Sequence, residues 1–148
     1  MKVAVVNYSW PVYNLGTERI TSFLLSEGHR VICSPKKTDM WAQGCDKVYL
    51  SAIFTWNLKP LIQDAQLLVS KGIEVEIGGP APTAMSKYIQ ARTGIAPHIG
   101  LDDRFEHIKG DFNMTFTSRG CRNSCKWCLV PKVEPKHMEY DDFTIPVG

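Results

Sequence analysis

The chain has 148 residues, 44% hydrophobic and 22% charged, and this composition excludes a disordered or fibrous protein. Its 17 basic and 15 acidic residues give a formal net charge of +2, which leaves no electrostatic footprint for nucleic acid or an anionic membrane. No apolar run approaches the ~20 residues of a membrane span, and no signal peptide is recognisable. We therefore expect a soluble cytoplasmic protein.

The first two thirds of the chain alternate predicted strands and helices. A β-branched apolar run predicts a strand over residues 2–8, and periodic apolar residues predict a helix over 17–25 that is capped by Thr17. Further strands are predicted over 29–34, 47–53, 73–77 and 98–101, and further helices over 59–71 and 83–91. This order predicts an α/β fold, in which helices cover both faces of a parallel sheet.

Ligands of such open sheets bind beyond the carboxyl ends of the strands. Ser51, Gly78 and Gly79 lie at predicted strand ends and are candidate ligand contacts, because glycine lets a backbone approach a ligand closely. Two structural alternatives stay open. Ser51 also fits a small packing residue, and the two glycines also fit a turn with positive φ.

The character of the sequence changes after Leu101. Residues 102–111 are interpreted as a connector with a charged start, and a new strand is predicted over 114–118. We therefore divide the chain into an α/β domain over 1–101, the connector, and the beginning of a second domain over 112–148.

The five cysteines are unevenly placed. Cys33 and Cys45 stand alone and are interpreted as small buried residues. Cys121, Cys125 and Cys128 fall within eight residues as C-x3-C-x2-C. Three crowded cysteines point to metal chemistry, whereas a secreted disulfide scaffold spreads its cysteines along the chain.

Two kinds of metal site fit this spacing to different degrees. Structural zinc needs four ligands, and the nearest further candidate is His137, nine residues after Cys128. Three thiolates instead suit an iron–sulfur cubane with one iron left open. An open iron is a place to bind and activate a molecule.

Residues 119–128, RGCRNSCKWC, resemble the cluster motif of the radical S-adenosylmethionine superfamily. The resemblance implies that Cys121, Cys125 and Cys128 hold a 4Fe–4S cluster whose open iron is chelated by S-adenosylmethionine. An electron from the cluster would then cleave the sulfonium and release a 5′-deoxyadenosyl radical. Trp127 stands where the family has an aromatic residue against the adenine side of the cofactor.

The resemblance extends to both sides of the motif. Residues 115–118 resemble the first strand of the family's partial (β/α) barrel, and residues 129–131, LVP, are also similar. Upstream, residues 78–83, GGPAPT, resemble the segment that closes the cobalamin-binding domain fused to many of these enzymes. Residues 51–53, SAI, resemble the strand end that flanks the nucleotide tail of that cofactor.

The resemblance departs from the family in the loop after the first strand. The cobalamin-ligating histidine belongs there, and residues 7–16 contain no histidine. A bound cobalamin would therefore lack this lower ligand, and a domain that binds no cobalamin is equally compatible.

The expected fold is thus a Rossmann-like, cobalamin-binding-domain-like sheet followed by the start of a radical S-adenosylmethionine barrel. Because the later barrel strands are absent, the chain resembles the N-terminal part of a longer enzyme. We expect another chain to supply the remaining barrel and a flavodoxin or ferredoxin to act as reductant. No residue is predicted to be catalytic, and the substrate is unknown. The alternative is a non-catalytic α/β module that binds a ligand or partner and has a zinc or iron–sulfur tail.

Overall fold

Four parallel strands form the centre of the structure, a computed structural model that describes residues 1–35, 44–106, 108 and 116–140. The strands are β1 (Lys2–Asn7), β2 (Arg30–Pro35), β3 (Lys47–Ser51) and β4 (Glu74–Gly78). Their order in the sheet is β2-β1-β3-β4, and Val5 of β1 pairs with Cys33 on one side and Tyr49 on the other. The predicted parallel α/β architecture is confirmed over this part of the chain, and it is consistent with a Rossmann-like fold.

Six α-helices, a short 3₁₀ helix (Thr55–Asn57) and a two-stranded ribbon complete the described structure. The helices are α1 (Leu15–Ser26), α2 (Leu58–Ser70), α3 (Pro80–Ala84), α4 (Ser86–Thr93), α5 (Asp103–Glu106) and α6 (Val130–Val133). The ribbon pairs β5 (Ser118–Arg119) antiparallel to β6 (Met138–Glu139). Among the residues that the structure describes, no helix is both long and apolar enough to cross a membrane.

The alternation of side chains along β1 builds a core on each face of the sheet. Val3 and Val5 pack with Leu24 of α1 and Phe105 of α5 on one face. On the other face, buried side chains of β1 and β3 pack against α2 and α4: Ala4, Val6, Val48, Leu50, Leu61 and Ile89. Helices therefore cover both faces, as right-handed crossovers predict.

The predicted cap of the first helix was wrong. The helix begins earlier, at Leu15, and Asn14 is its N-cap because its side-chain oxygen accepts the Gly16 N–H at 3.1 Å. The hydroxyl of Thr17 instead donates to the Asn14 carbonyl oxygen at 2.8 Å. Asparagine is as good an N-cap as threonine, so sequence alone did not separate the two.

The predicted helix over 83–91 is confirmed except for its bounds and a break, whereas the predicted strand over 98–101 was wrong. The helical segment begins at Pro80, whose missing N–H is tolerated in a first turn, and it breaks at Met85. After His98 donates its backbone N–H to the Ile77 carbonyl oxygen at 2.8 Å, the ladder stops. The Gly100 N–H bonds the Thr83 hydroxyl at 3.3 Å instead, so residues 98–101 add no fifth strand to this sheet.

The predicted strand over 114–118 is only partly described. Residues 114 and 115 lie outside the described residues, Phe116 and Thr117 have no strand structure, and β5 begins at Ser118. Its partner is β6, which runs antiparallel. The domain boundaries at 101 and 111 stay predictions, and so does the start of a barrel.

Candidate functional site

A cavity of about 540 Å³ lies at the carboxyl edge of the sheet. It opens beside the ends of β1, β3 and β4. In the sheet, β2 lies on one side of β1, and β3 and β4 lie on the other, so the strand order reverses here. Such switch points are where α/β sheets bind ligands. Residues from 116 to 134 cover it from the other side. Most of its wall is apolar. The apolar side chains come from the sheet and its helices and from residues 116–134: Val5, Ile20, Leu101, Phe105, Phe116, Leu129, Val130 and Val133.

The polar side of the cavity includes Ser51, one of the predicted contacts. Its hydroxyl accepts a hydrogen bond from the Asn14 side-chain amide at 3.0 Å, and Ser51 as a whole is buried. Asn14 thus fixes both the start of α1 and the hydroxyl at the end of β3. Asn14 was not predicted as a site residue, although its N-cap preference was a readable signal.

Gly78 and Gly79 both line the cavity but have different structural roles. Gly79 has φ 104° and ψ 171°, a backbone region almost restricted to glycine, and a Cβ there would lie 2.7 Å from the Ala52 carbonyl oxygen. The structural alternative of a positive-φ turn therefore holds for Gly79. A Cβ at Gly78 would meet no atom within 4 Å, so Gly78 leaves open space at the cavity wall.

A charged network reaches the cavity on the α5 side, where Glu76 and Asp102 line the wall. Arg104 donates to both carboxylate oxygens of Glu76, at 3.2 and 2.6 Å, and to Asp102 at 2.7 Å. Lys47 pairs with Glu76 at 2.6 Å. Burial raises the pKa of Glu76, but hydrogen bonds from Arg104 and Lys47 outweigh it and leave that pKa below its ordinary value. Asp102 shows the same balance, with its pKa lowered by Arg104 despite burial.

A second ion pair covers the opposite wall. Arg119 donates to Glu134 at 2.6 Å, and its guanidinium lies 4.2 Å from the centre of the Phe116 ring. The other carboxylate oxygen of Glu134 accepts the Gly120 backbone N–H at 2.8 Å. Burial raises the pKa of Glu134, yet these two hydrogen bonds hold it below its ordinary value. Glu134 was missed by sequence reasoning, because no local pattern links it to Gly120.

The three motif cysteines lie on the loop between β5 and α6, which starts and ends at the cavity wall. The five cysteines all lie among the described residues and none forms a disulfide bond, and Cys121 and Cys125 are exposed. The Cys128 N–H bonds the Cys125 carbonyl oxygen at 3.1 Å, and the Asn123 N–H donates to Cys121 Sγ at 3.4 Å. Within the described ranges, no three His, Cys, Asp or Glu side chains are grouped closely enough to hold a metal ion.

The ligand type of this loop, thiols, is the type that iron–sulfur clusters use, although the described residues do not bring the three thiols together into a site. The loop offers three free thiols, two of them exposed, and the Cys121 sulfur already accepts a backbone N–H as cluster sulfurs do. His137, the candidate fourth zinc ligand, bonds Glu139 through Nε2 at 3.1 Å, and its Nδ1 has no hydrogen-bond partner among the described residues. Loop thiols also gather readily on metal binding, because metal affinity is coupled to local folding.

Trp127 and Cys33 are both exposed, whereas tryptophan and free cysteine side chains are commonly buried. Trp127 is 87% exposed, so it is not a packed aromatic side chain, and no ring contact holds it among the described residues. Cys33 was expected to be buried but is exposed on β2, which lies at the edge of the four-stranded sheet. Cys45 is buried as expected.

Comparison with known proteins adds no relative to this description. No protein-family model matches the chain, and no curated protein matches it.

Proposed function

We propose that the chain carries the cluster-binding segment of a radical S-adenosylmethionine enzyme, preceded by an α/β domain of the cobalamin-binding type. The observation that carries this proposal is the C-x3-C-x2-C arrangement of three free thiols on one loop. A bound 4Fe–4S cluster would supply the electron that reductively cleaves the sulfonium of S-adenosylmethionine. The chain itself would supply Cys121, Cys125 and Cys128 as thiolate ligands.

Other features of the described residues support the same function. Trp127 is exposed beside Cys128 and is therefore available to lie against the adenine of S-adenosylmethionine. The loop adjoins the cavity, so a molecule bound there would be close to the cluster. Five cysteines without a disulfide bond suit the reducing cytoplasm, where a flavodoxin or ferredoxin is the proposed reductant. The remaining barrel strands would come from additional polypeptide.

Anaerobic reconstitution with iron and sulfide, followed by EPR of the dithionite-reduced protein, tests this function. We expect a cubane signal that shifts when S-adenosylmethionine is added, and we expect Cys125→Ser to abolish it. Cys33→Ser is the matched control, since it removes an exposed free thiol outside the motif. Protein that takes up one zinc ion and no iron would refute the proposal. A cluster signal that ignores S-adenosylmethionine would refute the part that concerns this cofactor.

We propose as the second candidate that the cavity binds a nucleotide-like or corrinoid ligand without catalysis. Its volume of about 540 Å³ lies within the range of small-molecule sites, and its wall is largely apolar with a few polar groups. Positions 76 and 78 lie on the same face of β4, and both line the cavity, so a side chain introduced at Gly78 would extend into the cavity.

Gly78→Leu tests the second candidate with hydroxocobalamin and adenosine monophosphate as calorimetric probes. Wild-type protein should bind one of them, and the leucine should weaken that binding by roughly tenfold or more, because it fills space the ligand needs. Ala91→Leu is the control, because it adds the same side chain at an exposed position of α4. Unchanged binding by Gly78→Leu, or no binding of either probe by wild type, would reject this candidate.

A further inference from the structure

We propose that Glu134 is a positioning residue for the three cysteines. Its carboxylate joins the two ends of the cysteine-bearing segment before any metal binds. This inference rests on the proposed function, since it takes the three thiolates to be ligands. It concerns a residue outside the cysteine motif and assigns it a role in preparing the metal site.

Glu134 ties the end of the cysteine-bearing segment to its beginning. One carboxylate oxygen accepts the Arg119 guanidinium at 2.6 Å, and the other accepts the Gly120 backbone N–H at 2.8 Å. These contacts span 15 and 14 residues, respectively, and the whole C-x3-C-x2-C motif lies between their ends. Both donors immediately precede Cys121, so the carboxylate fixes the chain direction at the first thiol.

The backbone at this closure has little freedom. Gly120 has φ 73°, and a Cβ there would run into the Lys136 carbonyl oxygen, so the strands of the ribbon approach each other too closely for any other residue. The side chains of Arg119 and Glu134 are only 15% and 19% exposed. Partial burial strengthens a charge-assisted pair, because water screens it less.

The same ribbon offers a matched pair that lacks these properties. Arg122 and Glu139 form an ion pair of the same length, 2.6 Å, but their side chains are 75% and 60% exposed. Glu139 accepts from side chains in its described hydrogen bonds, whereas Glu134 also accepts a backbone N–H. Exposed ion pairs contribute little, so the loss of Glu134 should weaken metal binding far more than the loss of Glu139.

Pre-closure affects metal affinity through entropy. A free loop must lose conformational freedom when its thiolates converge, and a segment whose ends are already joined loses less. Partners behind the direct ligands commonly change metal affinity by about 10–100-fold. Glu134 stands in this position relative to the cysteines, through Gly120 and Arg119.

Cobalt titration of the metal-free chain tests the inference, with Co²⁺ as the probe and its sulfur-to-metal absorption as the signal. Glu134→Gln keeps the side-chain volume but removes the charge that holds Arg119, and it should weaken Co²⁺ binding by about tenfold or more. Glu139→Gln should bind Co²⁺ as wild type does. Arg119→Lys keeps the positive charge and loses the guanidinium, so it should show a smaller loss in the same direction.

Hydrogen exchange in the metal-free protein supplies a second measurement that does not require metal. The Gly120 amide should exchange faster in Glu134→Gln than in wild type, while far-UV circular dichroism of the sheet stays unchanged. Equal Co²⁺ affinity in Glu134→Gln and wild type would overturn the inference. Faster Gly120 exchange with unchanged Co²⁺ affinity would overturn it too, because the contact would then be structural only.

The failure of the inference and the failure of the proposed function are distinguishable. If the function is wrong, wild-type protein itself forms no cluster, and the inference falls with it. If only the inference is wrong, wild type forms the cluster and the Glu134→Gln protein matches it in both cluster yield and Co²⁺ affinity.

Discussion

The sheet region (residues 1–35 and 44–106) and the cysteine segment (residues 116–140) are stabilised by different kinds of interaction. In the sheet region, Leu50, Leu61 and Leu68 are at most 1% exposed, and two apolar cores cover the two faces. In the cysteine segment, none of the side chains whose burial the structure describes is buried. Polar contacts such as the Arg119–Glu134 pair take the place of a core there.

This difference separates a region that can fold by itself from one that needs additional interactions. Apolar burial contributes about 25 cal/mol per Å² and accounts for the stability of the sheet region. Each hydrogen bond or ion pair of the cysteine segment contributes much less free energy than the apolar cores of the sheet region. Local opening of the cysteine segment therefore costs little free energy. A metal bound by its thiolates would add folding free energy where apolar burial is lacking.

The largest expected effect is a loss of stability in the sheet region, and it is tested by substituting one glycine in each region. Gly79→Ala places a Cβ 2.7 Å from the Ala52 carbonyl oxygen at φ 104°, and it should lower the free energy of unfolding by roughly 1–3 kcal/mol. Gly120→Ala also meets a backbone carbonyl, that of Lys136, but it should leave the unfolding midpoint of the sheet region unchanged. It should instead speed proteolysis between β5 and β6. Urea denaturation followed by far-UV circular dichroism and limited proteolysis measure the two effects.

Gly78→Ala is the control for Gly79→Ala, because its Cβ would meet no atom within 4 Å. The unfolding midpoint of this control should stay close to that of wild type. If Gly120→Ala lowered the midpoint as much as Gly79→Ala, the two regions would unfold as one unit, and the comparison between them would be wrong.

Sequence periodicity was sufficient for the sheet region because its signals are local and repeated. Strands β1, β2 and β3 contain short apolar runs, β4 alternates valine and isoleucine with glutamate, and α1 and α2 carry apolar side chains at helical spacing, so both element types were predicted. The errors fall where two local signals compete. Asn14 and Thr17 are both good N-caps, and the segment 98–101 has strand-like residues but bonds Thr83 instead of continuing the ladder.

The sequence predicted only those parts of the candidate site whose residues lie close together along the chain. Cys121, Cys125 and Cys128 are recognisable by spacing, but the carboxylate of Glu134 is linked to Gly120 only by tertiary structure. The same limit applies to the cavity, whose wall combines Val5 with residues as distant as Val133. Exposure of Trp127 was likewise not readable from sequence, because tryptophan is commonly buried to a large extent.

Acid should lower the stability of the sheet region by a smaller amount. This effect measures how much a polar network adds to the apolar cores of that region. Hydrogen bonds from Arg104 and Lys47 outweigh burial and hold the pKa of Glu76 below its ordinary value of 4.5. The carboxylate therefore contributes stability above about pH 4.5, and this contribution disappears as the pH falls through the lowered pKa. Asp102 acts in the same direction from its ordinary value of 3.8. Because the Arg104 side chain is 49% exposed, water screens the network, and each pair should be worth at most about 1 kcal/mol.

Thermal unfolding between about pH 7 and pH 3 measures this contribution. The midpoint should fall with acid, and Glu76→Gln should lower the midpoint near neutral pH while flattening its dependence on pH, because one of the two titrating carboxylates is gone. Gln63→Ala, an exposed uncharged position on α2, is the control and should keep the wild-type slope. A wild-type midpoint that is independent of pH over this range would show that the network adds no stability. The sheet region would then depend on its apolar cores alone, in still sharper contrast to the polar ties of the cysteine segment.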